Sequence, residues 1–433
     1  MSEYVASLCR FLDNSPSPFH AVENIKIRLT EAGYTELKES VRWELKAGGK
    51  YFVTRNCSSV VAFAVPEKGF APFRIVSSHS DSPVFKVKQE MEKGACGHYT
   101  MLNTEKYGGL IMSTWLDRPL TVAGRLLVKT DKGIRTQLVY VDRDLIVIPN
   151  LAIHMNREAN DGFKMNLQTD MLPLFGEENA DFLSVVAEAV GVKKEDIAGH
   201  DLFLCPRAHA TTIGAKNEYI LSARLDDLEC AFSSLEALLA AEAESCIPVM
   251  AVFDNEEVGS GTKQGALSTF LYDVLTRTAT ALGADREDYL TAIASTFMLS
   301  ADNAHAVHPN HPEKADPTHQ PFMNKGIVVK FNANQKYTTD GVSSAVFTSI
   351  CANAGVPVQF FHNRSDMAGG STLGNLANTH TSMNTVDIGL PQLAMHSCCE
   401  TAGVQDLDYM VNGMKAFYEA DIRANADGAY DVK

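Results

Sequence analysis

Apolar positions along the 433-residue chain follow two rhythms, and each predicts a different element. Short, nearly continuous apolar runs read as buried strands: KYFVT and VVAFAVP near the start, then FRIVSSHSDSP, IPVMAVF, FMLSAD, GIVVKFN, PVQFFHN and TVDIGLP. Longer stretches with apolar residues three and four apart read as helices, including LDDLECAFSSLEALLAAEAE and GVSSAVFTSICANAG, with another helix after GTKQGALS. Residues 1–37 read as helical, with a helix opening after the SPSP turn. Between about residues 88 and 218 the rhythm changes. LTVAGRLLVKTDKGIRTQLVYVDRDLIVIPN is rich in β-branched residues around a DKG turn, a hairpin pattern, and helical spacing returns only at FLSVVAEAVGV. The expected architecture is therefore α/β: a three-layer domain with a central, mostly parallel sheet from residues 1–87 and 219–433, and an inserted β-rich domain at 88–218.

In open α/β sheets, ligands bind beyond the carboxyl ends of the strands. The polar residues that terminate the apolar runs are thus the place to look for chemistry. IPVMAVF runs directly into DNEEVGSG, setting Glu256 and Glu257 side by side at a strand tip. Like charges repel and each resists leaving water, so a positive partner is expected there. Other runs end similarly: His79 and Asp81 in SSHSDSP, Asp226 and Asp227 in RLDDLE, Asp302 and His305 in SADNAH, and His396 in AMHSCCE. Two histidines and three carboxylates, one of them bridging, would give each of two divalent ions three protein ligands and leave a shared position open. Zinc sites of that kind are catalytic rather than structural.

Composition narrows the classes. With 53 acidic against 38 basic side chains the formal charge is −15, which argues against a broad nucleic-acid or anionic-membrane surface. No apolar run reaches the roughly 18–20 residues that span a bilayer. The N-terminal residues lack the basic start and apolar stretch of a signal peptide. Nine cysteines, odd in number and without CxxC spacing, fit reduced thiols, so a cytoplasmic location is expected and any metal would be held by His and carboxylate.

The motifs HSDSP, RLDDL, FDNEEVGS, SADNAHAVHPN and PQLAMHS occur in this order and, with FLDNSPSPFHAV and KFNANQKYTTD, resemble the aspartyl aminopeptidases, a family of dizinc exopeptidases. The resemblance spans nearly the whole chain. It implies that His79 and Asp302 bind one ion, Glu257 and His396 the other, and that Asp226 bridges both. Glu256 would be the general base, and Asp81 would orient the His79 imidazole. It also implies peptide substrates with an acidic N-terminus and self-association through the insert into a homo-oligomer, a dodecamer being the size suggested. NRSDMAGGSTLG (363–374) departs from the family's glycine-rich substrate loop at MAGG.

Several residues carry a plainer reading beside the functional one. Asp227 reads as a helix-start carboxylate facing the helix dipole. Lys330 is either a salt-bridged strand residue or the cation facing an acidic substrate, with the Gly369–Gly370–Ser371 backbone as helper. His305 and His308 are either substrate contacts or loop histidines supporting Asp302. His154, in NLAIHMNR, is either a surface histidine or a side chain delivered to a neighbouring subunit's site. Two other functions remain open: a dimetal hydrolase of broad N-terminal or N-acyl amino acid specificity, and a catalytically degenerate metal-binding scaffold.

Overall fold

A computed structural model describes residues 3–433. Its centre is a nine-stranded sheet, in the order Thr35–Leu37, Lys50–Arg55, Ser59–Ala64, Ile247–Phe253, Phe73–His79, Phe297–Ala301, Asn384–Gly389, Ile327–Phe331 and Val358–His362. Five of its eight strand pairings are parallel, so the sheet is mixed with a parallel middle. Ile247–Phe253 and Phe73–His79 are buried along their whole length, which is why they read as unbroken apolar runs. Helices Glu3–Asp13, Pro18–Glu31, Leu225–Ala240, Gly341–Asn353 and Val404–Glu419 cover one face around Phe232, Met250, Leu299 and Met414. Phe270–Ala281 and Arg286–Ala294 cover the other around Phe63, Phe253 and Phe270. Burying each such side chain contributes about 1.5–3 kcal/mol.

The N-terminal helical stretch is shorter than the pattern suggested. The second helix stops at Glu31; Gly33 turns the chain with φ +82°, and Thr35–Leu37 adds a parallel edge strand to Lys50–Arg55. Backbone pairing there outweighs the local helical rhythm. Met1 and Ser2, part of that reading, lie outside the described residues.

A second, six-stranded antiparallel sheet is built from residues 84–206, with Leu120–Thr130 and Gly133–Tyr140 forming the hairpin around the DKG turn. Its core gathers Phe85, Trp115, Leu126, Phe182 and Leu204. Gly124 lets two of its strands close: a Cβ there would sit 2.0 Å from the Asp201 carbonyl oxygen. This β-rich unit starts at Val84 rather than 88. At its other end Tyr219–Ser222 pairs with Glu400–Gly403 in a five-stranded sheet beside the central one. Among the described residues no helix is long and apolar enough to cross a membrane.

Candidate active site

Strand register assembles the site. Phe253 is paired with His79 in the parallel ladder, so His79 and the turn carrying Glu256 and Glu257 leave the sheet at the same level. Phe297–Ala301 pairs with the other side of the His79 strand and delivers Asp302 to the same edge. Asp226 enters from the first turn of helix Leu225–Ala240, behind Arg224 in the left-handed region (φ +62°). His396, itself at φ +68°, comes from the loop between Pro391–Leu393 and Glu400–Gly403.

The two carboxylate oxygens of Asp226 face different histidines. His79 Nε2 lies 3.5 Å from Oδ1, and His396 Nε2 lies 3.4 Å from Oδ2 and 3.5 Å from Glu257 Oε2. Ligand atoms of His79, Asp226 and Glu257 all fall within 4.8 Å of one another. Each imidazole has its other nitrogen engaged. His79 Nδ1 is 3.0 Å from the Asp81 carbonyl oxygen, and His396 Nδ1 is 3.0 Å from the Gly109 carbonyl oxygen. Carbonyl acceptors at Nδ1 place the proton there and leave Nε2 free to ligate. Asp226 Oδ1 and Glu257 Oε1 are buried without a hydrogen-bond donor. Lone pairs on two imidazoles and two carboxylates therefore converge with nothing to receive them, which is the donor set a divalent ion requires.

Residues 11–418 match the family described as Aminopeptidase I zinc metalloprotease (M18). The chain belongs to the M18 aminopeptidase family. It is 48% identical to a probable M18 family aminopeptidase 2 of Clostridium acetobutylicum, over 96% of this chain and 98% of that one. It is 37% identical to a probable aspartyl aminopeptidase of Ricinus communis, over 96% and 94%. Among solved structures it resembles the Ape4 and Nbr1 complex determined by cryo-EM (TM-score 0.93, 36% identity, 96% of this chain and 85% of that one). It also resembles the S. cerevesiae mApe1 dodecamer (TM-score 0.85, 26% identity, 96% of each chain). The protein is thus a hydrolase of a zinc metalloaminopeptidase family with an α/β fold and an added β-rich unit.

Within this M18 enzyme, three buried carboxylates stand behind the candidate site residues and grip their backbones. Asp81 accepts the N–H groups of Glu256 (3.1 Å) and Glu257 (3.2 Å). Asp227 accepts the N–H of His79 at 3.1 Å. Glu400 accepts the N–H of Asp226 at 3.1 Å and of His396 at 2.7 Å. The sequence reading placed Asp81 on the His79 ring; its carboxylate Oδ1 is 3.4 Å from Nδ1, farther than its own carbonyl. Asp227 does sit in the first turn of helix Leu225–Ala240, where it is fully buried. Glu400 was missed, although it stands only four residues after His396; a residue that acts on backbone N–H groups leaves no mark in hydrophobic spacing.

Electrostatics follow from this crowding of carboxyls. Burial pushes Glu256 up to about 8, and the Asp302, Asp81 and Asp226 carboxylates add to the shift against an opposing His79. Burial, then Asp226, raises Glu257 as well. Burial alone would raise Asp226 too, but the His396 and His79 imidazoles hold it below the usual carboxylate range. For His79 burial disfavours the charge, yet the Asp227, Asp226 and Asp81 carboxylates outweigh it and raise its pKa. Protons are retained here because positive charge is short, and cations that bind would displace them.

A cavity of about 190 Å³ opens over these groups and is lined by Glu256, Asp302, His305, Lys330, Gly370 and Ser371, among others. Lys330 is buried; its Nζ donates to the Asp302 carbonyl oxygen at 2.7 Å, lies 3.8 Å from Asp302 Oδ1 and sits over the Tyr337 ring. A second cavity of about 310 Å³ shares His305, Phe361 and Gly370 with it and is lined by Gly369 and His308. His154 is not brought to either cavity. It is exposed on an irregular segment of the β-rich unit, among exposed Leu151, Ile153 and Met155.

Proposed function

We propose that this enzyme removes single N-terminal residues from peptides, with preference for Asp and Glu, using two divalent ions per chain, zinc foremost. His79 and Asp302 would hold one ion and Glu257 and His396 the other, with Asp226 shared. The observation that carries this reading is the split allegiance of Asp226, whose two oxygens face two different imidazoles. When bound, the ions would supply Lewis acidity for the scissile carbonyl and for the attacking water. Glu256, at the cavity wall and held by Asp81 through its backbone, takes the proton from that water and passes it to the leaving amine.

Acidic preference would come from Lys330. An ammonium group has three N–H donors. Two are directed at the carbonyls of Asp302 (2.7 Å) and Asn303 (3.4 Å), which leaves one for a substrate carboxylate in the cavity. Burial works against its charge, but Asp302 raises its pKa, so the cation is retained. The backbone of Gly370 and Ser371 lines the same space and would assist. His305 would contact the peptide where the two cavities meet. Self-association through the β-rich unit fits the exposed Leu151, Ile153, Met155 and Phe163, and would allow His154 to act on a neighbouring chain's site.

The test is a panel of Asp-, Glu- and Leu-terminated peptides and N-acetyl amino acids, assayed with metal-stripped and zinc-reloaded enzyme. Acid-terminated peptides should be the best substrates, and stripping should abolish turnover until metal returns. Lys330→Ala should cut the Asp-over-Leu ratio in kcat/KM by one to two decades, since a charge-assisted hydrogen bond contributes about 1.5–3 kcal/mol. Equal rates on Asp and Leu in the unaltered enzyme would overturn the preference, and an unchanged ratio in the variant would remove Lys330 from the pocket.

A further inference from the structure

The β-rich unit meets the candidate metal centre along Tyr107–Thr114, at and after the end of the strand Tyr99–Tyr107. The Tyr107 hydroxyl donates to Asp81 Oδ2 at 2.6 Å and accepts from Asn255 Nδ2 at 2.8 Å. Asn255, at φ +63° immediately before Glu256, is in turn held at its side-chain Oδ1 by donation from Thr262 Oγ1 and Gln264 Nε2, both at 2.8 Å. The chain of hydrogen bonds thus runs from the 262–264 loop through Asn255 and Tyr107 to Asp81, and from Asp81 to the backbones of Glu256 and Glu257. Gly108, at φ +73°, packs against Glu257 so closely that a Cβ on it would lie 3.1 Å from the Glu257 Cβ. On the other side, the Gly109 carbonyl meets His396 Nδ1, and the Ile111 N–H donates to the His396 carbonyl oxygen at 3.0 Å. Thr114 fastens the end of that loop by accepting the Cys398 N–H at 3.1 Å.

We infer that Tyr107 is a positioning residue of the metal centre: its hydroxyl fixes Asp81, and through Asp81 the placement of the Glu256–Glu257 pair, so that the β-rich unit is a working part of the site. This rests on the reading of His79, Asp226, Glu257, Asp302 and His396 as ligands. Asp81 takes one backbone N–H at each oxygen, at 3.1 and 3.2 Å, and the shorter O–H···O⁻ bond from Tyr107 to the oxygen that also accepts from Glu257 anchors the carboxylate more strongly than either. Groups one step removed from a metal typically change affinity or activity by about 10–100-fold when altered. The ring itself packs edge-on against Phe203, at 5.9 Å between centroids, and phenylalanine keeps that contact.

The experiment is a zinc titration of metal-stripped, full-length protein by calorimetry, comparing the unaltered enzyme, Glu257→Gln, Tyr107→Phe and Asn255→Asp, with peptide kinetics on the same samples. Asn255→Asp keeps a residue that tolerates positive φ but turns the donor at Tyr107 into a second acceptor competing for the phenolic proton, so it serves if Tyr107→Phe does not fold. Tyr107→Phe and Asn255→Asp should each weaken zinc binding by about 10–100-fold, with kcat lowered and KM within about threefold of the unaltered enzyme. Zinc affinity within twofold of the unaltered enzyme in either folded variant would overturn the inference. If the unaltered enzyme took up no zinc, or if Glu257→Gln bound it equally well, the ligand reading would fail and this one with it.

Discussion

Glu256 and Glu257 are neighbours in sequence, held by the same Asp81 carboxylate, yet the proposed reading gives their side chains different tasks, and exchanging each for glutamine separates them. Glu257 Oε2 lies 3.5 Å from His396 Nε2, its Oε1 is buried without a donor, and it falls within the cluster that could hold a metal ion. Glu256 lies outside that three-residue cluster but on the wall of the cavity. On the proposed reading, Glu256→Gln would remove the atom that accepts the water proton and leave every proposed ligand in place. General-base contributions are about 10²–10⁴-fold, which corresponds to roughly 2.7–5.5 kcal/mol on the barrier. Metal content should therefore stay at the unaltered level while kcat falls by that factor and KM changes little. Glu257→Gln should instead lose metal, with activity falling in parallel and partly recovering at high zinc. Elemental analysis by mass spectrometry beside steady-state kinetics on the same preparations reads both quantities. The reasoning is refuted if Glu256→Gln loses zinc but turns over normally once reloaded, since the two glutamates would then have opposite roles.

Glu400→Ala removes two hydrogen bonds to a buried carboxylate, each contributing about 1.5–3 kcal/mol, and should lower both the melting temperature and the rise in it that zinc produces; an undiminished zinc-induced rise would exclude Glu400 from holding Asp226 and His396. His20, 2.8 Å from Ser17 Oγ, is held down to about 4 from an ordinary 6.5, by burial first and by Arg224 second. The unfolded chain takes up this proton before the folded one does, so the stability it confers is present above about pH 6.5 and is lost as pH falls toward 4. Urea midpoints of the unaltered protein and His20→Gln should therefore diverge across that window by up to ~1–3 kcal/mol, and parallel curves would contradict it. Mixing inactive His154→Ala and Glu256→Gln chains after dissociation and reassembly should restore part of the activity if His154 serves a neighbour; a fully active His154→Ala enzyme would end that idea.

The primary structure alone determined the parts whose physics is local. Strands buried on both faces must be apolar throughout, so Phe73–His79 and Ile247–Phe253 stand out, and any ligand-type residue at their ends is conspicuous against that background. His79, Glu256, Glu257 and Asp302 stood out as candidates for this reason, and Asp226 and His396 joined them through the order of motifs that resemble a known family. Tertiary structure decided what depends on partners remote in the chain. Which oxygen of Asp226 faces which imidazole is set by helix Leu225–Ala240 meeting a loop some 170 residues later, and no spacing rule encodes that. The edge strand Thr35–Leu37 exists because Lys50–Arg55 offers it a ladder, not because three residues favour strand by themselves. Asp227 reads only as a helix-start acid and Glu400 carries no reading in sequence, but the fold buries both to accept backbone N–H groups, since a buried carboxylate must find donors wherever they occur. Tyr107 is the extreme case. Nothing in YTMLNTEKY marks its last residue, and only the docking of the β-rich sheet against the central one brings that hydroxyl to Asp81.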